Sequence, residues 1–289
     1  MARLTFSNPM NKATRLTALL LTSLPLLALE YPHKPLDPQP TGWPLTAEER
    51  AFVTEKPEYE RRPGREINQH LPQLWPQVPS AGFFGGDAWL KIHEQHVQTV
   101  QANQGPLDVL LVGDSITIQW GASWAKQFPE RKAVNIGIGG DKSQNVLWRL
   151  DHGGVEGLKP KAIVLMIGNN NMFFTPETGI EAAAKGVAMC AKNLREKFPE
   201  AELIVAKILP CHAPKTRFYE DILLTNAEID KLNLGTDPKV RVLDMTKDFL
   251  NEDGTIKKAL YTPDNIHLSP EGYAAYAARL KPLLDGPKK

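Results

Sequence analysis

The sequence predicts a doubly wound α/β domain. Two observations carry that expectation: five short, β-branched and nearly continuously apolar segments at 107–113, 133–137, 162–168, 202–208 and 240–245, and helical patterns lying between them. Apolar runs without polar alternation are buried on both faces, as the strands of a parallel sheet are. Regular alternation of strand and helix then gives one parallel sheet covered by helices, with ligands at the carboxyl ends of the strands.

Each element has its own signal. The first 28 residues carry Arg3, Lys12 and Arg15 and no acid, and an apolar run follows at 16–29. That pattern predicts a secretory signal peptide over residues 1–28, with the cleavage site left open because Leu26 fits poorly at the minus-three position of a cut after Ala28, and a secreted or periplasmic protein. The run is too short to span a bilayer comfortably, so no integral membrane span is expected. Ten of the 24 prolines then fall between Pro32 and Pro79, a density that forbids long helices and strands. Residues 29–104 therefore read as a Pro-rich arm ending in a lead-in helix near 87–103, where Trp89, Ile92, His96, Val97 and Val100 recur at helical spacing. Residues 105–286 carry the α/β pattern, with helices expected at 143–150, 176–197, 218–233 and 270–284. Thr175-Pro176 and Ser269-Pro270 are start signals for the second and fourth of these, a hydroxyl cap followed by proline at the first helical position.

Composition narrows the function classes. The 289 residues hold 34 Lys and Arg against 33 Asp and Glu, a formal net charge of +1. Such a balance lacks the basic footprint of a nucleic-acid binder, so no nucleic-acid partner is expected. Loss of the leader removes three positive charges and no negative one, which takes the chain to −2. Cys190 and Cys211 are too few for a disulfide framework and are not spaced as zinc ligands; two buried free thiols are as good a reading as one bridge. The oligomeric state has no signature in the sequence.

Chemistry gathers at the strand ends. The first strand runs into Gly113-Asp114-Ser115, which places a serine hydroxyl at the ligand edge beside helix amides. By itself the tripeptide is also a good turn and cap, and Asp114 reads as a brace for that turn. The second strand leads into Gly137-Ile138-Gly139-Gly140-Asp141, where missing side chains let a backbone N–H approach a substrate oxygen. A Rossmann phosphate loop needs a different glycine spacing and an acid ending the next strand. The third strand ends in Gly168-Asn169-Asn170-Asn171, whose amides could cap a turn or donate to an oxyanion. Before the last helix, Asp264 and His267 stand three apart, so that a carboxylate can hold one imidazole nitrogen while the other faces a serine.

Other polar residues have plainer readings. Trp148 and Arg149 are expected to supply packing and a surface ion pair, although a place beside an acyl pocket is open for them. His93 and His96 belong to a solvated helix face and lack the spacing of a zinc-binding HExxH. Cys211 and His212, after the fourth strand, are expected to line the cleft without supplying a nucleophile.

The four blocks, in order and with the first three at successive strand ends, resemble the SGNH or GDSL hydrolase superfamily over residues 107–285. Within it, GIGGD followed by VLWRL, and the ending HLSPEGY, resemble the catalytic α-subunit type of platelet-activating-factor acetylhydrolase. Asn171 stands where the third block more commonly has Asp. The resemblance implies a three-layer flavodoxin-like fold with a five-stranded parallel sheet, no metal or other cofactor, and hydrolysis of a small acyl ester. It implies Ser115 as nucleophile, His267 as base and Asp264 as its partner, with Ser115 N–H, Gly140 N–H and the Asn170 amide as the oxyanion hole. The leader and arm are departures from that pattern. The expected function is an exported esterase for short acyl groups, acetyl foremost, on acetylated carbohydrates. A lyso-phospholipid acylhydrolase and a catalytically idle binding module on the same fold are the alternatives.

Overall fold

A computed structural model describes residues 86–174, 179–212 and 217–286. The leader and the arm up to residue 85, and the Thr175-Pro176 start signal, lie outside them. The described chain opens with helix α1 (Gly86–Ala102) and strand β1 (Gly105–Gly113), followed by α2 (Ser115–Gln119) and α3 (Gly121–Gln127). Strand β2 (Ala133–Asn135), α4 (Ser143–Asp151), β3 (Leu158–Met166), α5 (Asn169–Phe174) and α6 (Gly179–Lys197) come next. Strand β4 (Glu202–Ala206), α7 (Arg217–Lys231), β5 (Val240–Leu243), α8 (Thr246–Phe249) and α9 (Pro270–Asp285) complete it.

The five strands form one sheet in the order β2-β1-β3-β4-β5, and every pair is parallel. This is the flavodoxin-like order, with its switch point between β1 and β3. Residues alternate between two cores. Val109, Leu111, Val164, Met166 and Ile204 pack with Ile116, Trp120 and Trp124 from α2, the bend after it and α3, and with Tyr273, Tyr276 and Leu280 from α9. Leu110, Val112, Ile163, Leu165 and Leu203 pack on the other side with Val100 of α1, Val146, Leu147 and Leu150 of α4, and Val187, Cys190 and Leu194 of α6. Burial on both faces is the reason that the strands read as continuous apolar runs.

Two differences from the expected elements have simple causes. Strand β3 starts four residues before 162, because Leu158-Lys159-Pro160-Lys161 alternates buried and exposed positions and carries no apolar run. Helix α5 was not foreseen because its opening asparagines show no apolar periodicity. Helix α9 starts as the sequence predicts: the Ser269 hydroxyl accepts from Gly272 N–H at 3.1 Å and Pro270 opens the first turn. Close approach fixes two glycines. A Cβ on Gly113 would stand 2.1 Å from Thr117 Oγ1 and 2.2 Å from the Met166 carbonyl, and one on Gly272 would stand 2.0 Å from the Leu260 carbonyl.

The lead-in helix corrects one expectation. His93 and His96 are 4% and 8% exposed, on the same stripe as Val100, so they are packed side chains and not a solvated face. His93 Nε2 lies 2.8 Å from the His152 carbonyl, and its ring meets Trp148 edge-on at 5.2 Å. Burial, opposed by the hydrogen bond to His152, holds His93 down at about 4; burial and the nearby Arg149 charge bring His96 to about 4 as well.

Candidate active site

The ends of β1, β2 and β3 and the turn before α9 bring the expected residues together. Gly113 ends β1 and Asp114 caps α2, its Oδ1 accepting from Ile116 N–H at 3.1 Å. This makes Ser115 the first residue of α2. Asp114 is therefore the brace that the sequence suggested. Complete burial, opposed by the cap hydrogen bond, raises its carboxyl to about 7.

Ser115 Oγ lies 2.9 Å from His267 Nε2, and His267 Nδ1 lies 2.6 Å from Asp264 Oδ2. Asp264 Oδ1 accepts from Thr262 Oγ1 at 2.7 Å, Ile266 N–H at 2.8 Å and His267 N–H at 3.0 Å. Partial burial pushes the Asp264 carboxyl upward, but the hydrogen bonds from His267, Ile266 and Thr262 outweigh it and hold the group well below the usual carboxylate range. A charged Asp264 keeps the imidazole proton on Nδ1, which leaves Nε2 to accept from the serine hydroxyl.

Long-range contacts set this alignment. Tyr273, on the helix after His267, donates its hydroxyl to the Ile116 carbonyl at 2.8 Å, and the Trp120 ring lies 4.4 Å from that of Tyr276. Together they lock the helix that begins with Ser115 to the helix that follows His267. The His267 turn also leans on the loop after β4: Tyr261 OH donates to the Pro210 carbonyl, and His212 N–H donates to the Asn265 carbonyl at 2.9 Å. His212 and Asn265 have φ of 67° and 58°, in the left-handed region that non-glycine residues seldom enter.

The glycine loop lies directly on α2. A Cβ on Gly137 would meet Ile118 N at 2.6 Å and the Asp114 carbonyl at 2.8 Å, so this glycine serves backbone approach. Gly140 has φ +79°, a second reason for glycine there. Asn170 Nδ2 donates to the Asp141 carbonyl at 2.9 Å and lies 3.4 Å from Asp114 Oδ2. One hydrogen of that amide is thus committed to the loop and the other makes only a long contact. Asn171 is fully buried; its Oδ1 accepts from Ser143 N–H at 2.9 Å and its Nδ2 donates to Ser143 Oγ at 3.0 Å.

Three residues differ from, or refine, their sequence readings. Arg149 does not make a surface ion pair: it is 1% exposed and its partner Asp141 0%. The signal that could have found it is a lone charge flanked by Leu147, Trp148 and Leu150. Trp148 stacks on His152 with centroids 4.0 Å apart and meets His93, which places it on the α1 side. Cys211 is buried and reduced, as is Cys190. Burial and the charges of Asp114 and Asp264 push the Cys211 thiol far up, out of reach of thiolate chemistry.

A sequence-family model for GDSL-like lipases and acylhydrolases matches residues 111–275, a span that holds the serine, the glycine loop, the asparagines and the Asp–His turn. The chain belongs to that family. Among its relatives, the rat platelet-activating factor acetylhydrolase IB subunit alpha2 is 32% identical over 206 residues, covering 69% of this chain and 85% of the relative. The human alpha1 subunit is 30% identical over 203 residues, covering 69% and 84%. The fold agrees with solved GDSL structures. A GDSL-like lipase from Bacteroides thetaiotaomicron superimposes with TM-score 0.56 at 21% identity, covering 67% of this chain and 97% of that one. A Streptococcus pneumonia structure named for platelet activating factor gives 0.59 at 24%, covering 67% and 91%. This GDSL-family chain is a carboxylic ester hydrolase. No helix among its described residues is long and apolar enough to cross a membrane.

Proposed function

We propose that this GDSL hydrolase is an exported serine esterase that removes short acyl groups, acetyl foremost, through Ser115, His267 and Asp264. The observation that carries the reading is the continuous chain from Asp264 Oδ2 through His267 to Ser115 Oγ, at 2.6 and 2.9 Å. Ser115 Oγ attacks the ester carbonyl carbon as its proton passes to His267 Nε2, and the carbonyl π pair moves onto oxygen. The N–H groups of Ser115 and Gly140 and the second hydrogen of the Asn170 amide receive that oxyanion. Collapse expels the alcohol, which takes the proton from His267, and a water activated by the same imidazole hydrolyses the acyl-serine. The acetylhydrolase names of the relatives favour acetyl. The basic, apolar amino terminus favours export, and with it an extracellular acetylated carbohydrate as substrate.

The names of those relatives also favour a second reading, a phospholipid-type acylhydrolase. Release of acetate from acetylated xylan, compared with fatty-acid release from a lyso-phospholipid and acetate release from an acetylated ether phospholipid, separates the two. Labelling by a fluorophosphonate tests the mechanism and the idle-module alternative together. We expect labelling of the wild-type chain, none in Ser115→Ala, and loss of p-nitrophenyl acetate turnover in that variant. Ser115→Ala retaining most of its esterase activity overturns the assignment.

A further inference from the structure

We propose that the buried Arg149–Asp141 pair is a positioning device for the reaction, fixing the nucleophile turn, the glycine loop and Asn170 relative to one another. The inference rests on the catalytic reading above. Arg149 donates from Nε and Nη2 to Asp141 Oδ2 at 2.9 and 2.6 Å. Its Nη1 donates to the Ile136 carbonyl at 2.7 Å, and Nη2 also lies 3.5 Å from the Gly113 carbonyl. One guanidinium therefore touches the end of β1 two residues before Ser115, the chain just beyond β2, and the residue after Gly140. The backbone of Asp141 completes the set: its N–H donates to the Ile138 carbonyl at 3.2 Å, and its own carbonyl accepts from Asn170 Nδ2 at 2.9 Å. Each segment that supplies a proposed oxyanion donor is tied to this one ion pair.

Stability alone is a poor account of such an arrangement. Desolvating two charges offsets most of their attraction, and a buried pair can often be exchanged for apolar side chains without loss of stability. What an apolar pair cannot supply is a rigid planar fork that meets a carboxylate and two carbonyls from three segments at once. A lysine cannot supply it either, since its ammonium is a point charge on a flexible stem. Donors to an oxyanion act only when held close to where the charge develops, and a displacement of about 1 Å can cost ~100-fold in rate.

Two variants test this: the charge-free double variant Asp141→Asn/Arg149→Leu, and Arg149→Lys, which keeps the charge and loses the fork. For each, the thermal midpoint, kcat and KM for p-nitrophenyl acetate are measured beside wild type and Ser115→Ala. We expect a folded double variant with a midpoint within a few degrees of wild type. KM should stay within about threefold and kcat should fall by about 10- to 100-fold, with Arg149→Lys no faster than the double variant. A folded variant of either kind whose kcat stays within twofold of wild type overturns the inference. Should the double variant not fold, Arg149→Lys decides alone; failure of both to fold also overturns it, since the pair would then be a stability element. Activity that survives in Ser115→Ala overturns the catalytic reading and this inference with it. A fast double variant beside a dead Ser115→Ala overturns this inference alone.

Discussion

Replacing Asp264 with asparagine should remove catalysis while leaving the fold nearly intact, and the geometry says why. Asp264 Oδ1 accepts three hydrogen bonds within the turn, from Thr262, Ile266 and His267 N–H, and an asparagine that turns its oxygen to that side keeps all three. Its NH2 then faces His267 Nδ1 where Oδ2 now sits at 2.6 Å. Two donors cannot face each other, so the imidazole must carry its proton on Nε2 and accept at Nδ1. That tautomer meets the Ser115 hydroxyl with a hydrogen instead of a lone pair, and the general base is lost. The equivalent change in a serine protease costs about 10⁴ in turnover, which is about 5.5 kcal/mol of transition-state stabilisation. Steady-state turnover of p-nitrophenyl acetate, with thermal unfolding as the control, measures both halves of the expectation. A folded Asp264→Asn enzyme within tenfold of wild-type turnover would refute the tautomer argument.

Asn170→Ala should lower turnover by about 100- to 1,000-fold, the cost of one oxyanion donor. It should also lower urea stability by ~1 kcal/mol, because the bond to the Asp141 carbonyl goes too; an unchanged kcat would remove Asn170 from the oxyanion hole. Gly113→Ala should destabilise by at least ~1–3 kcal/mol and slow turnover together, since the added carbon meets the Met166 carbonyl at 2.2 Å; chemical denaturation reads it directly. The buried histidines make stability depend on pH. His93 and His96 have folded values near 4 against 6.5 unfolded, so the unfolded chain binds their protons first and stability falls as pH drops from about 6.5 towards 4. At pH 5 each costs up to about 2 kcal/mol relative to pH 7. Asp114, raised to about 7, acts in the opposite sense over pH 7 to 3.8, because there the folded state holds the extra proton. Urea unfolding of His96→Gln and wild type at pH 7 and pH 5 isolates one histidine, and the variant should lose less stability on acidification.

Local pattern sufficed for much of this protein. Apolar runs marked all five strands, the Ser269-Pro270 signal marked the start of α9, and Ser115 and the Asp264–His267 pair stood out beside the turns that precede helices, whereas the choice of Gly140 among three glycines and of Asn170 among three asparagines came from the family resemblance. Spacing along one turn also showed that Asp264 could reach His267. Such features depend on neighbours within a few residues, and the sequence displays them directly.

Tertiary structure decided what depends on distant partners. The strand order β2-β1-β3-β4-β5 follows from which edges pair, and each segment's own pattern is silent on that choice. The apolar neighbours of Arg149 hint at burial, but its partners appear only when the fold brings Asp141, Ile136 and Gly113 around it, and His93 and His96 look solvated until Trp148 and His152 at the end of α4 meet α1. The 2.9 Å contact between Ser115 and His267 spans 152 residues and is held by Tyr273 and Trp120. The sequence determined which groups could do chemistry, because residue type and local turn fix that. Packing alone determined which of them meet, and which charges are buried, because both depend on surfaces far apart in the chain.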